Sequence, residues 1–177
     1  MIQRVCFLLF CLFFSPVLLS ADTSAISDQI RQRVERIRAD GDVVVAGQMI
    51  ASQLVLPAIY ERRGYTPLWT RTDSVTQLMT ALENIADDGL DAADYHLPEL
   101  KALRAQATTA DAAYAADYDI LLTDSLIRLG YHLLVGKVDP VQLDSNWNLD
   151  YTIGDLDSAV AMATAIDNGS VDQLIDR

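Results

Sequence analysis

"YAADYDILLTDSLIRLGYHLLV", residues 114–135, is the stretch whose reading decides the fold. It is apolar nearly all round a helical wheel. Asp117, Asp124, Arg128 and His132 fall on one narrow stripe. A helix with so little polar face belongs at the buried centre of a helical domain. Gly136 predicts its end, Asp139-Pro140 opens a short turn, and residues 143–155 read as irregular. The fold class that follows is mainly α: a single irregular helical domain around a long central helix, over residues 22–177.

The flanking segments fit around that centre. Ile30, Val34 and Ile37 recur at i, i+4, i+7, so residues 28–38 predict a helix with Gly41 as its stop. Consecutive β-branched residues in "DVVVAGQMI", residues 42–50, predict a short extended segment. Ser52 is expected to cap a helix running to Arg63, with Pro57 tolerated early or kinking it. Ser74 with Gln77 spells a capping box. Behind it Val75, Leu78, Met79, Leu82, Ile85 and Ala86 form an apolar face that Gly89 ends. Asp91 is placed to cap a turn over Ala92–Tyr95, and Pro98 to open a helix through about Ala107. Residues 106–113 read as a connection. Leu156, Val160, Ala163 and Ile166 mark a further helix, stopped by Asn168-Gly169. Ser170 and Gln173 form a second capping box, and the sequence stops at Arg177 within that helix. A helix so short is marginal alone. The expectation is a chain truncated in mid-element.

The N-terminus distorts the composition. Arg4, the apolar run Val5–Phe14 and a small-residue end at Ala21 read as a secretory signal peptide over residues 1–21, with Ala25 as an alternative cleavage point. The run is short for a membrane span, and an uncleaved anchor is the second reading. All four Phe and both Cys (Cys6 and Cys11) lie within it. Residues 22–177 therefore hold no disulfide, no thiol nucleophile and no cysteine-ligated metal. Only Arg4 among the charged residues lies in that leader, so its loss takes the formal charge from −12 to −13. Such a chain repels nucleic acid and anionic membrane surfaces. Arg31, Arg33, Arg36 and Arg38 make a local basic face, read as solvated helix surface. The expected location is the periplasm.

No catalytic, cofactor or metal residues emerge. His96 and His132 lie on different elements, and His132 reads as a half-buried core or rim residue. Asp87, Asp88, Asp91 and Asp94 around Gly89 invite a calcium reading. Setting Gly89 at the sixth position of an EF-hand loop puts Ala86 third and Tyr95 twelfth, so two ligands fail and caps account better for the acids. Asp139 and Asp144 are an acid pair that nothing positions. A serine elbow, a phosphate loop and a His-Glu-x-x-His motif are all missing from the sequence. Tyr60, Tyr65 and Trp69 crowd around Gly64 and Pro67. They could stack on a sugar. Core packing, fixing the angle between two helices, is the reading favoured.

Three segments in order carry a resemblance: "LPAIYERRGYTPLW" (56–69), "LMTALENIADDGLDAADYH" (78–96) and "YDILLTDSLIRLGYHLLVGKVDP" (118–140). Together they resemble the scaffold domain of the large multidomain bacterial L,D-transpeptidases, over roughly residues 50 to 150. The resemblance implies two companion modules: a peptidoglycan-binding helical one, and a β-rich catalytic one with a cysteine nucleophile. That cysteine has no counterpart in residues 22–177, so no catalytic role transfers. The implied function is the non-catalytic part of a periplasmic cell-wall transpeptidase. The implied partners are the companion modules, with peptidoglycan as a further candidate. A free-standing periplasmic adaptor that binds peptidoglycan or a protein is the alternative, and a carboxylate hydrolase is a third.

Overall fold

The computed structural model describes residues 22–40, 43–106, 111–137 and 156–176. The predicted leader, the Gly41 stop, the Asp139-Pro140 turn, the 143–155 segment and the Asp139/Asp144 pair lie outside them.

Helix α1 (Thr23–Asp40) buries Ile30, Val34 and Ile37, the expected face. It starts earlier than residue 28 because the Asp22 carboxylate accepts the Ser24 N–H at 3.0 Å and caps the first turn. Its basic face is only partly solvated. Arg33 is buried and ion-paired to Asp117, which corrects the surface reading for that residue. The extended segment is a small antiparallel hairpin, β1 (Val44–Val45) with β2 (Gln48–Met49), in the register Val44 to Met49 and Val45 to Gln48. Its two turn residues, Ala46 and Gly47, both take positive φ, 47° and 81°, as a tight primed turn demands.

Helix α2 (Val55–Arg62) begins after Leu54 with no side-chain cap, so Ser52 is not its cap. Pro57 sits in the first turn, where a backbone N–H has no helical partner to lose, and causes no break. Two left-handed residues, Gly64 and Tyr65, end α2, and the Tyr65 N–H closes on the Tyr60 carbonyl at 2.8 Å. Helix α3 (Thr72–Asn84) runs into a 3-10 turn over Ile85–Asp88, stopped by Gly89 at φ 74°. A second 3-10 turn, Ala92–Tyr95, is capped by Asp91, whose carboxylate accepts the Ala93 N–H at 3.0 Å. Helix α4 (Leu97–Gln106) follows, with Pro98 in its first turn.

Helix α5 (Ala112–Val135) is the predicted long helix, extended at its start by an Asp111 cap to the Ala113 N–H. Every residue from Asp119 to Ile127 is buried. Helices α1 to α4 and the hairpin pack on it. Helix α6 (Leu156–Asn168) and the short α7 (Val171–Ile175) close the described chain, α6 against α2 and α3, and α7 against α3 and α5.

Neither predicted capping box forms, since α3 and α7 have no side-chain cap. α3 starts two residues before Ser74, and both box residues are taken by tertiary partners. The Ser74 hydroxyl donates to the Ile166 carbonyl at 2.6 Å. The Gln77 amide donates to the Gly169 carbonyl and accepts the Val171 N–H, both at 2.9 Å. The pattern that looked local is the attachment of α6 and α7 to α3. No helix among the described residues is long and apolar enough to cross a membrane.

Candidate functional site: the polar spine of the central helix

Two buried carboxylates on α5 organise the domain. Asp119 faces the aromatic segment. Its Oδ1 accepts the Tyr60 hydroxyl at 2.6 Å and the Leu68 N–H at 3.0 Å, and its Oδ2 accepts the Trp69 N–H at 3.0 Å. One turn on, the Thr123 hydroxyl oxygen accepts the Trp69 indole N–H at 2.9 Å and lies 2.8 Å from the Tyr60 hydroxyl. The chain bends at Leu68, after Pro67, and two successive backbone N–H groups, of Leu68 and Trp69, point at one carboxylate. Burial raises the Asp119 pKa, and the three donors pull it back. Burial, with Asp119 beside it, pushes the Tyr60 phenol well above its ordinary range.

Asp124 faces the other way. Its Oδ1 accepts the Ala51 and Ser52 N–H groups at 3.1 and 2.8 Å. Its Oδ2 lies 2.8 Å from His96 Nε2. A carboxylate can only accept, so His96 carries its proton on Nε2. The Arg128 guanidinium, 3.4 Å from that nitrogen, is then a neighbour and not a donor to it. His96 Nδ1 is buried with no partner among the described residues. Ser125 donates to the Tyr95 or Leu121 carbonyl, and Tyr95 in turn bonds His132 Nδ1 at 2.8 Å. Burial pushes the Tyr95 phenol up to about 12 and lowers the His132 pKa. Tyr95 thus keeps its proton, and His132 Nδ1 is its one acceptor among the described residues, so the hydroxyl donates there and the neutral imidazole carries its proton on Nε2.

The stripe of Asp117, Asp124, Arg128 and His132 is real but divided. Asp117 pairs with Arg33 of α1, and the other three meet residues 51–52 and 95–96. His132 is the half-buried rim residue expected, and His96 is buried at the end of the second 3-10 turn. Tyr60 and Trp69 are buried, as core packing predicted, while Tyr65 lies under the Arg31 guanidinium at 4.8 Å. Asp91 caps, and Asp94 pairs with Lys137, so two of the four acids around Gly89 do structural work. Among the described residues no three metal-ligating side chains converge.

Asp119, Thr123 and Arg33 are the residues that sequence reasoning missed. A signal existed for the first two. Asp119, Thr123 and Asp124 stand at i, i+4, i+5 inside an otherwise apolar run. Chemically the spine is closed. Asp119 and Asp124 are shielded from solvent and saturated by donors, so neither is placed to move a substrate proton. The arrangement clamps segments to a helix.

No curated protein and no solved structure matches the chain. The model of a family described as Scaffold domain matches residues 55–177, more than half of the chain, and the chain belongs to that family.

Proposed function

We propose that this chain is a non-catalytic scaffold part of a periplasmic L,D-transpeptidase, serving peptidoglycan cross-linking and inactive alone. One observation carries the reading. The residues of the three resembling segments are spent on holding helices together: Gly64 and Tyr65 turn the chain, Trp69 seats on Thr123 and Asp119, Asp91 caps, and His96 seats on Asp124. The absence of cysteine from residues 22–177 agrees with it, since thioester chemistry needs a thiolate. The natural partners are a cysteine-bearing catalytic module and a peptidoglycan-binding module.

The test uses the purified exported chain with donor and acceptor stem peptides, alone and with a separately expressed catalytic module of such an enzyme. The chain alone should give no exchange, and it should co-purify with the module. Exchange by the chain unaided, or failure to associate, would overturn the reading. Retention on cell-wall sacculi separates the adaptor alternative. Little is expected, because Tyr60 and Trp69 are buried and offer no free ring face to a sugar.

A further inference from the structure

Residues 51–55 and the C-terminal half of α5 enclose an open cleft of about 500 Å³. Its walls are mainly apolar, with Leu54, Val55, Ile127 and Tyr131 beside the polar Ser52 and Gln53. Leu54 is 88% exposed and Tyr131 43%, so the apolar surface continues to the mouth. Arg128 is the one permanently charged residue that lines it, and His132 lines it beside Arg128.

The inner side of Arg128 is occupied. Its guanidinium lies 6.0 Å from the Tyr95 ring centroid, and Nη1 is 3.9 Å from the Asp124 carboxylate. Asp124 is already served by Ala51, Ser52 and His96, so it does not use up the guanidinium. The remaining Arg128 N–H groups have no partner among the described residues. His132 spends Nδ1 on Tyr95, which leaves Nε2–H as a donor. An apolar cleft with two adjacent donors, one cationic, has the composition of a ligand site rather than of a bare surface. A neutral apolar guest would cover Arg128 without satisfying it, and a cation would be repelled.

We propose that this cleft binds an amphipathic carboxylate, its apolar chain against Leu54, Val55, Ile127 and Tyr131 and its carboxylate on the donors of Arg128 and His132. The inference goes beyond the scaffold reading and does not depend on it. The test is methyl NMR of the full exported chain titrated with decanoate below its micelle-forming concentration, beside decanol and decyltrimethylammonium. Decanoate should shift the Leu54, Val55 and Ile127 methyls saturably, and decanol should bind roughly tenfold more weakly for want of a charge-assisted pair. Arg128→Gln should abolish that preference. Because Arg128 also touches the spine, Leu54→Glu is the second variant. At so exposed a position it leaves the fold intact and weakens decanoate by like charge, without weakening further the already poor binding of decyltrimethylammonium. Equal binding of decanoate and decanol, shifts centred elsewhere, or no saturable shift would each overturn the proposal.

Discussion

Tyr60 donates its phenolic proton to the buried carboxylate of Asp119 across 2.6 Å, joining α2 to the central helix. The same carboxylate takes the N–H groups of Leu68 and Trp69, just before α3 begins. One side chain therefore fixes two helices against a third. The carboxylate is out of water, and the bonds it makes are what hold its cost in check.

Asp119→Ala should be the most damaging spine substitution. It strands the Leu68 and Trp69 N–H groups in the core and leaves the Tyr60 hydroxyl only the Asp119 carbonyl and Thr123 as partners. Each stranded buried donor costs about 1–3 kcal/mol, so a loss of roughly 3–5 kcal/mol is expected in urea denaturation. Tyr60→Phe removes only one donor and should cost about 1–2 kcal/mol. Their double variant should cost less than the two losses added, because the groups share a partner. Strict additivity would show that the pair is not coupled.

The pH dependence has a definite sign. Burial raises the folded pKa of Asp119 above its ordinary 3.8. The folded state then holds the proton more tightly than the unfolded state. Its contribution is full below the ordinary value and is lost as pH rises through the raised one. Asp73 and Asp94 shift downward beside Arg71 and Lys137, and act in the opposite sense, but as exposed groups they contribute little. Asp119→Asn removes the titration and leaves theirs. The stability of the native chain relative to this variant should fall as pH rises from the ordinary carboxylate value through the raised one. A constant difference across that range would contradict a raised Asp119.

Gln77 ties the last two helices to α3 through one amide, donating to the Gly169 carbonyl and accepting the Val171 N–H. Gln77→Ala should cost about 1–2 kcal/mol. It should also speed hydrogen exchange at Val171, whose N–H loses its acceptor. Unchanged protection there would mean that α7 is held by its apolar contacts alone.

What the sequence reveals here follows the range of each interaction. Periodicity is local, so α1, α3, α4 and α5 were legible from the spacing of Ile30, Val34 and Ile37 and from the apolar run of α5. The αL stops at Gly64, Gly89 and Gly169 were legible because few other residues accept those angles. The spine was not. Asp119 meets Tyr60 across 59 positions and Trp69 across 50, and no pattern within a window joins them. Ser74 and Gln77 show the opposite failure. They satisfy a local rule, but partners about 90 residues away take both side chains. Arg33 was hidden because one arginine among four similar ones turns inward to Asp117.

Asp124 allows a test of both anchoring and tautomer. Asp124→Ala leaves the Ala51 and Ser52 N–H groups and His96 Nε2 without an acceptor, and roughly 3 kcal/mol of stability should go with them. Asp124→Asn keeps an acceptor oxygen for the two backbone groups and presents an amide N–H to His96. The imidazole can answer by moving its proton from Nε2 to Nδ1, the atom that now lacks a partner among the described residues. Nε2 then accepts, and the variant should lose only about 1 kcal/mol. Nitrogen chemical shifts of His96 would read the change directly, Nε2–H in the native chain and Nδ1–H in Asp124→Asn. An Nδ1–H tautomer already present in the native chain would refute the assigned His96–Asp124 bond, because the ring would then face a carboxylate with a bare lone pair.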